Sequence, residues 1–350
     1  MKIKQYTALA AALIVTISAF TACSSGSSSS SSSSSTSDSQ STSQSVSDSQ
    51  EQSSEFVLKY PEDMQKAGFT QEIKLDETPK NIVCMSTYPV MTLYEIEVEM
   101  TAVPTTKVLD YPEDLTAERL PSMMSDQFDI ESVVALEPDL VMMAPSNKDT
   151  HGATLESLGI PVYYVAISSQ TGIPLYQVIK NQTNALIDAF AKDEASRAAG
   201  EAIMKRFDDA EAHLSSMKSS SEGKKVMILT TSDPSTHSMQ NKNGTIGSMF
   251  DLMGFENVYN GEAGSVPLDM ETALEYQPDL VVFTGGMEQK GMEELIEKTI
   301  SQNPDYWNAM DAIKNKEYIC LPSNYVSTAG INIINNMNDL ADIIETHYAQ

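Results

Sequence analysis

Arginine is scarce in this chain: Arg119, Arg197 and Arg206 are the only three in 350 residues. A ligand with several negative charges would find almost no bidentate partners. The wider balance has the same sign, with 22 basic against 49 acidic residues and a net charge of −27. A polyphosphate would be repelled, which excludes nucleic acid as a partner. Cysteine is equally sparse. Beyond Cys23 there are Cys84 and Cys320, each inside an apolar run, where cysteine acts as a small buried hydrophobe rather than half of a disulfide or metal pair. His151, His213, His237 and His347 include no clustered pair in the sequence, so no bare Zn or Mn site is expected. There is no Gly-rich phosphate loop, nucleophile elbow, His-x-x-x-His or Cys-x-x-Cys, and Thr284-Gly285-Gly286 is a lone turn signal. Enzymatic chemistry is therefore not expected.

Long apolar runs are also lacking. Residues 7–20, behind Lys2 and Lys4, form a 14-residue uncharged stretch. That is too short to span a bilayer comfortably and reads as the core of a signal peptide over 1–22. Phe20-Thr21-Ala22-Cys23 resembles a bacterial lipobox, with Phe20 where leucine is usual. The resemblance implies that Cys23 is diacylated and anchors the protein at the extracytoplasmic face of the cell membrane. An ordinary secretory signal would instead leave Cys23 as an unpaired thiol. Residues 23–54 are almost wholly Ser, Thr, Asp and Gln, with Val46 the sole large apolar side chain. Such a tract cannot offset its ordering entropy by burial and is expected to be a disordered tether.

From Lys80 onward, short apolar runs alternate with helical patterns. Candidate strands are 81–86, 140–144 and 161–166, then 225–231, 280–284 and 317–321; helices such as 90–100, 246–253 and 331–347 lie between them. Continuous apolar strands separated by helices predict parallel sheets covered on both faces. Residues 174–218 carry no strand signal and are rich in alanine over 189–205, which predicts one long helix, or a helix with a bend. It separates an N-terminal lobe (55–173) from a C-terminal lobe (219–350).

The two halves share a repeat. Residues 129–141 read Asp-Ile-Glu-Ser-Val-Val-Ala-Leu-Glu-Pro-Asp-Leu-Val, and residues 269–281 read Asp-Met-Glu-Thr-Ala-Leu-Glu-Tyr-Gln-Pro-Asp-Leu-Val, an offset of 140. Asp129 and Asp269 suit a helix N-cap, with Glu131 and Glu271 at the positive end of the helix dipole. Pro138 and Pro278 stop the helix, and Leu-Val opens a buried strand. The expected fold is α/β: two Rossmann-like lobes with parallel sheets, joined by a long inter-lobe α-helix.

These residues resemble the periplasmic-binding proteins with a helical backbone, the class III fold that serves ferric siderophore, haem and cobalamin ABC importers. The likeness runs from Pro79 onward. It is carried by Pro79-Lys80-Asn81-Ile82-Val83, both Pro-Asp-Leu-Val units, Leu155-Glu156-Ser157-Leu158-Gly159-Ile160-Pro161-Val162, Gly247-Ser248-Met249-Phe250, Gly254-Phe255-Glu256-Asn257-Val258 and Trp307-Asn308-Ala309-Met310. It implies a ligand cleft between the lobes and small hinge motions about the linking helix. It also implies that Glu131 and Glu271 dock, one per lobe, onto an ABC permease dimer that works with its ATPase. A monomeric substrate-binding lipoprotein with no resident cofactor is expected, the chelate being cargo.

Ligands of open parallel sheets bind beyond the carboxyl ends of the strands. The candidate ligand-binding residues there are Met85, Thr87, Tyr88, Arg119 and Asn147 in the first lobe and His237, Asn324 and Tyr325 in the second. The loop 168–170 is a further contributor. Hydroxyl, amide and aromatic groups dominate, and Arg119, near Tyr111, is the single arginine able to reach a cleft. A multiply charged catecholate is disfavoured; a neutral or cationic hydroxamate chelate, a corrinoid or haem is easier to accommodate. Haem would need an axial ligand, for which Met85, Tyr88 and His237 are candidates, although among 20 methionines Met85 also suits packing. A surface ligand sensor or adhesin, and less readily an enzyme on the same two-lobed fold, are the alternatives.

Overall fold

Runs of Val, Ile, Leu and Met build two large sheets in the computed structural model, which describes residues 55–165 and 173–349. Cys23, residues 1–54 in general and the loop 168–170 lie outside the described residues. The chain enters through β1 (Phe56–Leu58), paired antiparallel with β2 (Ile73–Leu75). The N-terminal lobe then comprises β3 (Ile82–Cys84), β4 (Ala102–Pro104), β5 (Glu118–Leu120), β6 (Leu140–Met143) and β7 (Val162–Tyr164). They pair in parallel in the order β5-β4-β3-β6-β7. The winding reverses between β3 and β6, which makes the loops after these two strands the topological switch point. The C-terminal lobe comprises β8 (Lys225–Asp233), β9 (Thr236–Gln240), β10 (Glu256–Asn257), β11 (Ser265–Pro267), β12 (Leu280–Thr284) and β13 (Tyr318–Leu321), in the order β11-β9-β8-β12-β13 with β10 also beside β8.

The expectation of purely parallel sheets needs correction. The second sheet is mixed, not purely parallel, because β9 and β11 run antiparallel to their neighbours. Only Pro234 and Ser235 separate β8 from β9, far too few residues for a crossover. Asp233 Oδ1 accepts hydrogen bonds from the Ser235 amide (2.9 Å) and hydroxyl (2.7 Å), which closes this return. The linker takes the second of the two expected forms, bending at Ala191–Asp193 between the helices Leu175–Phe190 and Glu194–Ser216. Asp193 caps the second helix by accepting from the Ser196 amide at 2.8 Å. The pair is antiparallel: Lys180 Nζ reaches Asp208 (2.7 Å) and Glu211 (2.9 Å), and Ile187 packs on Gly200. The 23-residue second helix, about 35 Å long at 1.5 Å per residue, is the long connector.

The predicted helix 90–100 stops early, at Val90–Glu95. Glu97 takes a left-handed conformation (φ 60°) and the Val98 amide turns back to the Leu93 carbonyl at 2.9 Å, a Schellman closure.

The repeat is structural as well as sequential. Asp129 and Asp269 cap their helices, accepting from the Glu131 amide (3.0 Å) and the Thr272 amide (2.8 Å). Each helix ends with a left-handed residue just before the proline, Glu137 (φ 49°) and Gln277 (φ 41°). Asp139 Oδ2 then accepts from the Lys80 and Asn81 amides at the entry to β3, and Asp279 Oδ2 from the Lys225 amide at the start of β8. The two copies open β6 and β12, which lie in separate sheets.

One apolar core runs from the N-terminal sheet through Leu186, Ile203, Phe207 and Leu214 of the linker to Val226, Ile228, Leu280 and Val282 on one face of the second sheet. Alternation along the strands sends Met227, Leu229, Val281 and Phe283 to the other face, where they bury Trp307 and Ile313. The helix Glu194–Ser216 packs on both Val90–Glu95 and the helix Ile333–Tyr348, so it touches both lobes.

Candidate functional site

The carboxyl ends of the two sheets meet at one tight point. Gly330, in the loop after β13, has φ 54°, and a Cβ built on it would lie 2.1 Å from the carbonyl oxygen of Tyr88, in the loop after β3. Only glycine permits this backbone approach. The structure thus joins the loop bearing Met85, Thr87 and Tyr88 to the loop bearing Asn324 and Tyr325, one from each lobe.

The individual side chains divide into available and engaged. Met85 is buried and continues β3 by donating its amide to the Met142 carbonyl at 2.7 Å. Thr87 and Tyr88 are half-buried, and burial pushes the Tyr88 hydroxyl up to about 12, so it stays protonated. Asn147 ends the short turn Pro145–Asn147 at the switch point after β6 and is half-buried. Asn324 is exposed, but its amide donates to Asn336 Oδ1 (2.8 Å), and Asn336 in turn donates to the Asn324 carbonyl (2.9 Å) and Thr328. This network pins the loop after β13 to the helix Ile333–Tyr348. Tyr325 is 2% exposed, and burial raises its hydroxyl pKa.

Two expected residues sit elsewhere. His237 is on strand β9, not in a loop, and is buried against Trp307 (ring centroids 5.3 Å) with Nδ1 3.0 Å from Thr231 Oγ1. Burial lowers its pKa and keeps the ring neutral. Arg119 lies on β5, the edge strand opposite β7 in its sheet. Its guanidinium donates to the carbonyls of Ala117 (2.6 Å) and Leu115 (3.1 Å) and stacks on Tyr111 at 4.6 Å. The one arginine expected at the cleft is therefore engaged by its own loop.

Sequence reasoning missed the apolar rim. Large apolar side chains left exposed among the described residues include Val108 (47%), Met124 (97%), Met287 (41%) and Val326 (42%). They follow the carboxyl ends of β4, β5, β12 and β13 respectively, on both lobes. These loops and the one after β6 carry Lys107 and Lys148 against Asp110, Glu113, Asp114, Asp126, Asp149 and Glu288, and Asp233 ends β8. Lys148 is itself drawn over the rings of Phe69 (5.1 Å) and Tyr164 (5.7 Å). The rim is apolar and, where charged, mainly acidic. It can hold a ligand with greasy surface and no excess negative charge.

Two doubly wound lobes around a linking helix, meeting at their strand carboxyl ends, define a solute-binding protein. The sequence model of the periplasmic binding protein family matches residues 82–325, and the chain belongs to that family. It is a substrate-binding protein of the ABC-transporter type, and the family is not an enzyme family. The uncharacterized ABC transporter substrate-binding lipoprotein YvrC of Bacillus subtilis (strain 168) is 21% identical over 283 residues, 78% of this chain and 82% of that protein. Among solved structures, S. aureus IsdE complexed with heme superposes with a TM-score of 0.59 at 19% identity, covering 75% of this chain and 98% of that one. The catecholate-siderophore binding protein VctP of Vibrio cholerae gives 0.59 at 15% identity, covering 83% and 100%. At these identities the shared property is the fold. No helix among the described residues is long and apolar enough to cross a membrane.

Proposed function

We propose that this protein is a lipid-anchored receptor, tethered through Cys23, that captures an iron chelate (a hydroxamate siderophore or haem) or a corrinoid, rather than a multiply charged catecholate, between its lobes and delivers it to an ABC permease dimer. The observation that carries the ligand class is the rim itself: exposed Met124 and Met287, a majority of acidic groups, and an arginine already satisfied by Ala117 and Leu115. Delivery would use Glu131 and Glu271, both exposed and placed at equivalent helix starts by the repeat. Two rigidly spaced carboxylates suit a two-fold partner with basic pockets. Haem and hydroxamate siderophores share the required apolar surface, and the haem-bound IsdE has the same fold.

Thermal unfolding in the presence of a ferric hydroxamate, a cobalamin, haem and a ferric catecholate tests the reading. Stabilisation by one or more of the first three, and little by the catecholate, is expected. Stabilisation by the catecholate alone, or by none of the four, would overturn it.

A further inference from the structure

The helix Glu194–Ser216 carries His213 to the flank of the helix Ile333–Tyr348, beside Asp342 and Glu345. One imidazole nitrogen and one oxygen from each carboxylate all lie within 4.8 Å of one another. His213 Nε2 is 3.7 Å from Asp342 Oδ1, while Nδ1 is 3.2 Å from Asn338 Oδ1. An amide oxygen can only accept, so Nδ1 is the donor to Asn338 and Nε2 is the nitrogen on the side of Asp342. Asn338, Asp342 and Glu345 form one stripe of their helix at spacings of four and three residues. The histidine comes from a different helix, 129 residues earlier than Asp342, so no sequence motif announces the group.

We propose that His213, Asp342 and Glu345 form a divalent-cation site, filled by Zn²⁺, that ties the linking helix to the helix Ile333–Tyr348. One imidazole nitrogen and two carboxylate oxygens with a side open to water match an open three-ligand zinc site. Asn338 acts as the positioning residue that fixes the tautomer, as outer partners of ligating histidines do. The nitrogen donor disfavours calcium, which takes oxygen ligands. A net charge of −27 raises the local concentration of any cation. The site lies outside the cleft and would tune stability without touching the ligand.

The test uses the full chain, purified in detergent without a histidine tag. Zinc is titrated by calorimetry, and Co²⁺ is added as a spectroscopic probe. Expected results are one zinc per chain, a rise in melting temperature, and a cobalt spectrum showing a nitrogen ligand. His213→Ala should abolish all three, and Asp342→Asn and Glu345→Gln should each weaken zinc binding. Asn338→Ala should weaken it roughly 10- to 100-fold while leaving the cobalt spectrum's ligand set intact. His213 is half-buried and both acids are exposed, so these variants should keep the wild-type circular dichroism. Absence of zinc binding, zinc binding unchanged by His213→Ala, or calcium binding of equal strength would each overturn the proposal.

Discussion

Replacing Gly330 with alanine should loosen a tight backbone contact between the lobes. Two costs add. An L-residue held at φ 54° costs about 1–2 kcal/mol. The new Cβ also sits 2.1 Å from the Tyr88 carbonyl oxygen, with the backbone rather than a flexible side chain in the way. Overpacking of this kind costs about 1–3 kcal/mol. Relief requires the loops after β3 and β13 to part. The sum, about 2–5 kcal/mol, corresponds to a fall in melting temperature of roughly 3–8 °C for a domain of this size. Gly159 supplies the control: it too has a positive φ, 79°, but nothing lies within 4 Å of its would-be Cβ. Gly159→Ala should show only the backbone cost, and the difference between the two variants isolates the lobe contact. Thermal and urea unfolding followed by circular dichroism would measure both. If Gly330→Ala melts no lower than Gly159→Ala, the contact between Tyr88 and Gly330 is not what closes the lobes together.

Charge reversal at both Glu131 and Glu271 should abolish uptake in cells while leaving the affinity for ligand unchanged; loss of ligand binding would show the pair to be structural. Asp139→Ala should destabilise more than Asp279→Ala, by about 1 kcal/mol, because Asp139 accepts two backbone amides at the entry to β3 and Asp279 one at β8. His237 has a pKa lowered by burial, so the unfolded chain binds its proton first as pH falls. The stability it contributes is complete above about pH 6.5 and declines below it. Melting curves of wild type and His237→Gln between about pH 8 and pH 5 should therefore diverge, with the wild type losing stability more steeply on acidification; parallel curves would contradict the burial of a neutral ring.

The parts legible in the sequence are those where one local signal decides the outcome. Ile82, Leu140, Val162, Val226, Leu280 and Ile319 all fall in strands because unbroken apolar runs have no other stable home. The Asp-x-Glu and Pro-Asp-Leu-Val units gave both caps and both strand entries. What escaped had weak or distant signals. β5 is Glu-Arg-Leu, an edge strand with polar side chains, and β4 holds a proline, so neither reads as a strand. The position of the bend at Ala191–Asp193 was hidden by alanines that favour helix on both sides, and only Asp193 marks it. At the cleft, Tyr88 and Asn324 could be placed by their positions after apolar strands. The engagement of Arg119 by carbonyls two and four residues away, and the burial of His237 under Trp307, depend on packing that no spacing encodes. Gly330 carried a usable hint, as a lone glycine before a helix, but its partner is 242 residues away.

The core shared through Ile203, Phe207 and Leu214 has a mechanical consequence. Because the same helix is wedged into both lobes, neither can swing without dragging that packing along, and the molecule behaves less like a pair of jaws than like a stiff caliper. If Glu131 and Glu271 are the docking points proposed above, a transporter gripping them would sense an occupied state as a small change of gauge between the two, a signal written in ångströms rather than in a refolded surface.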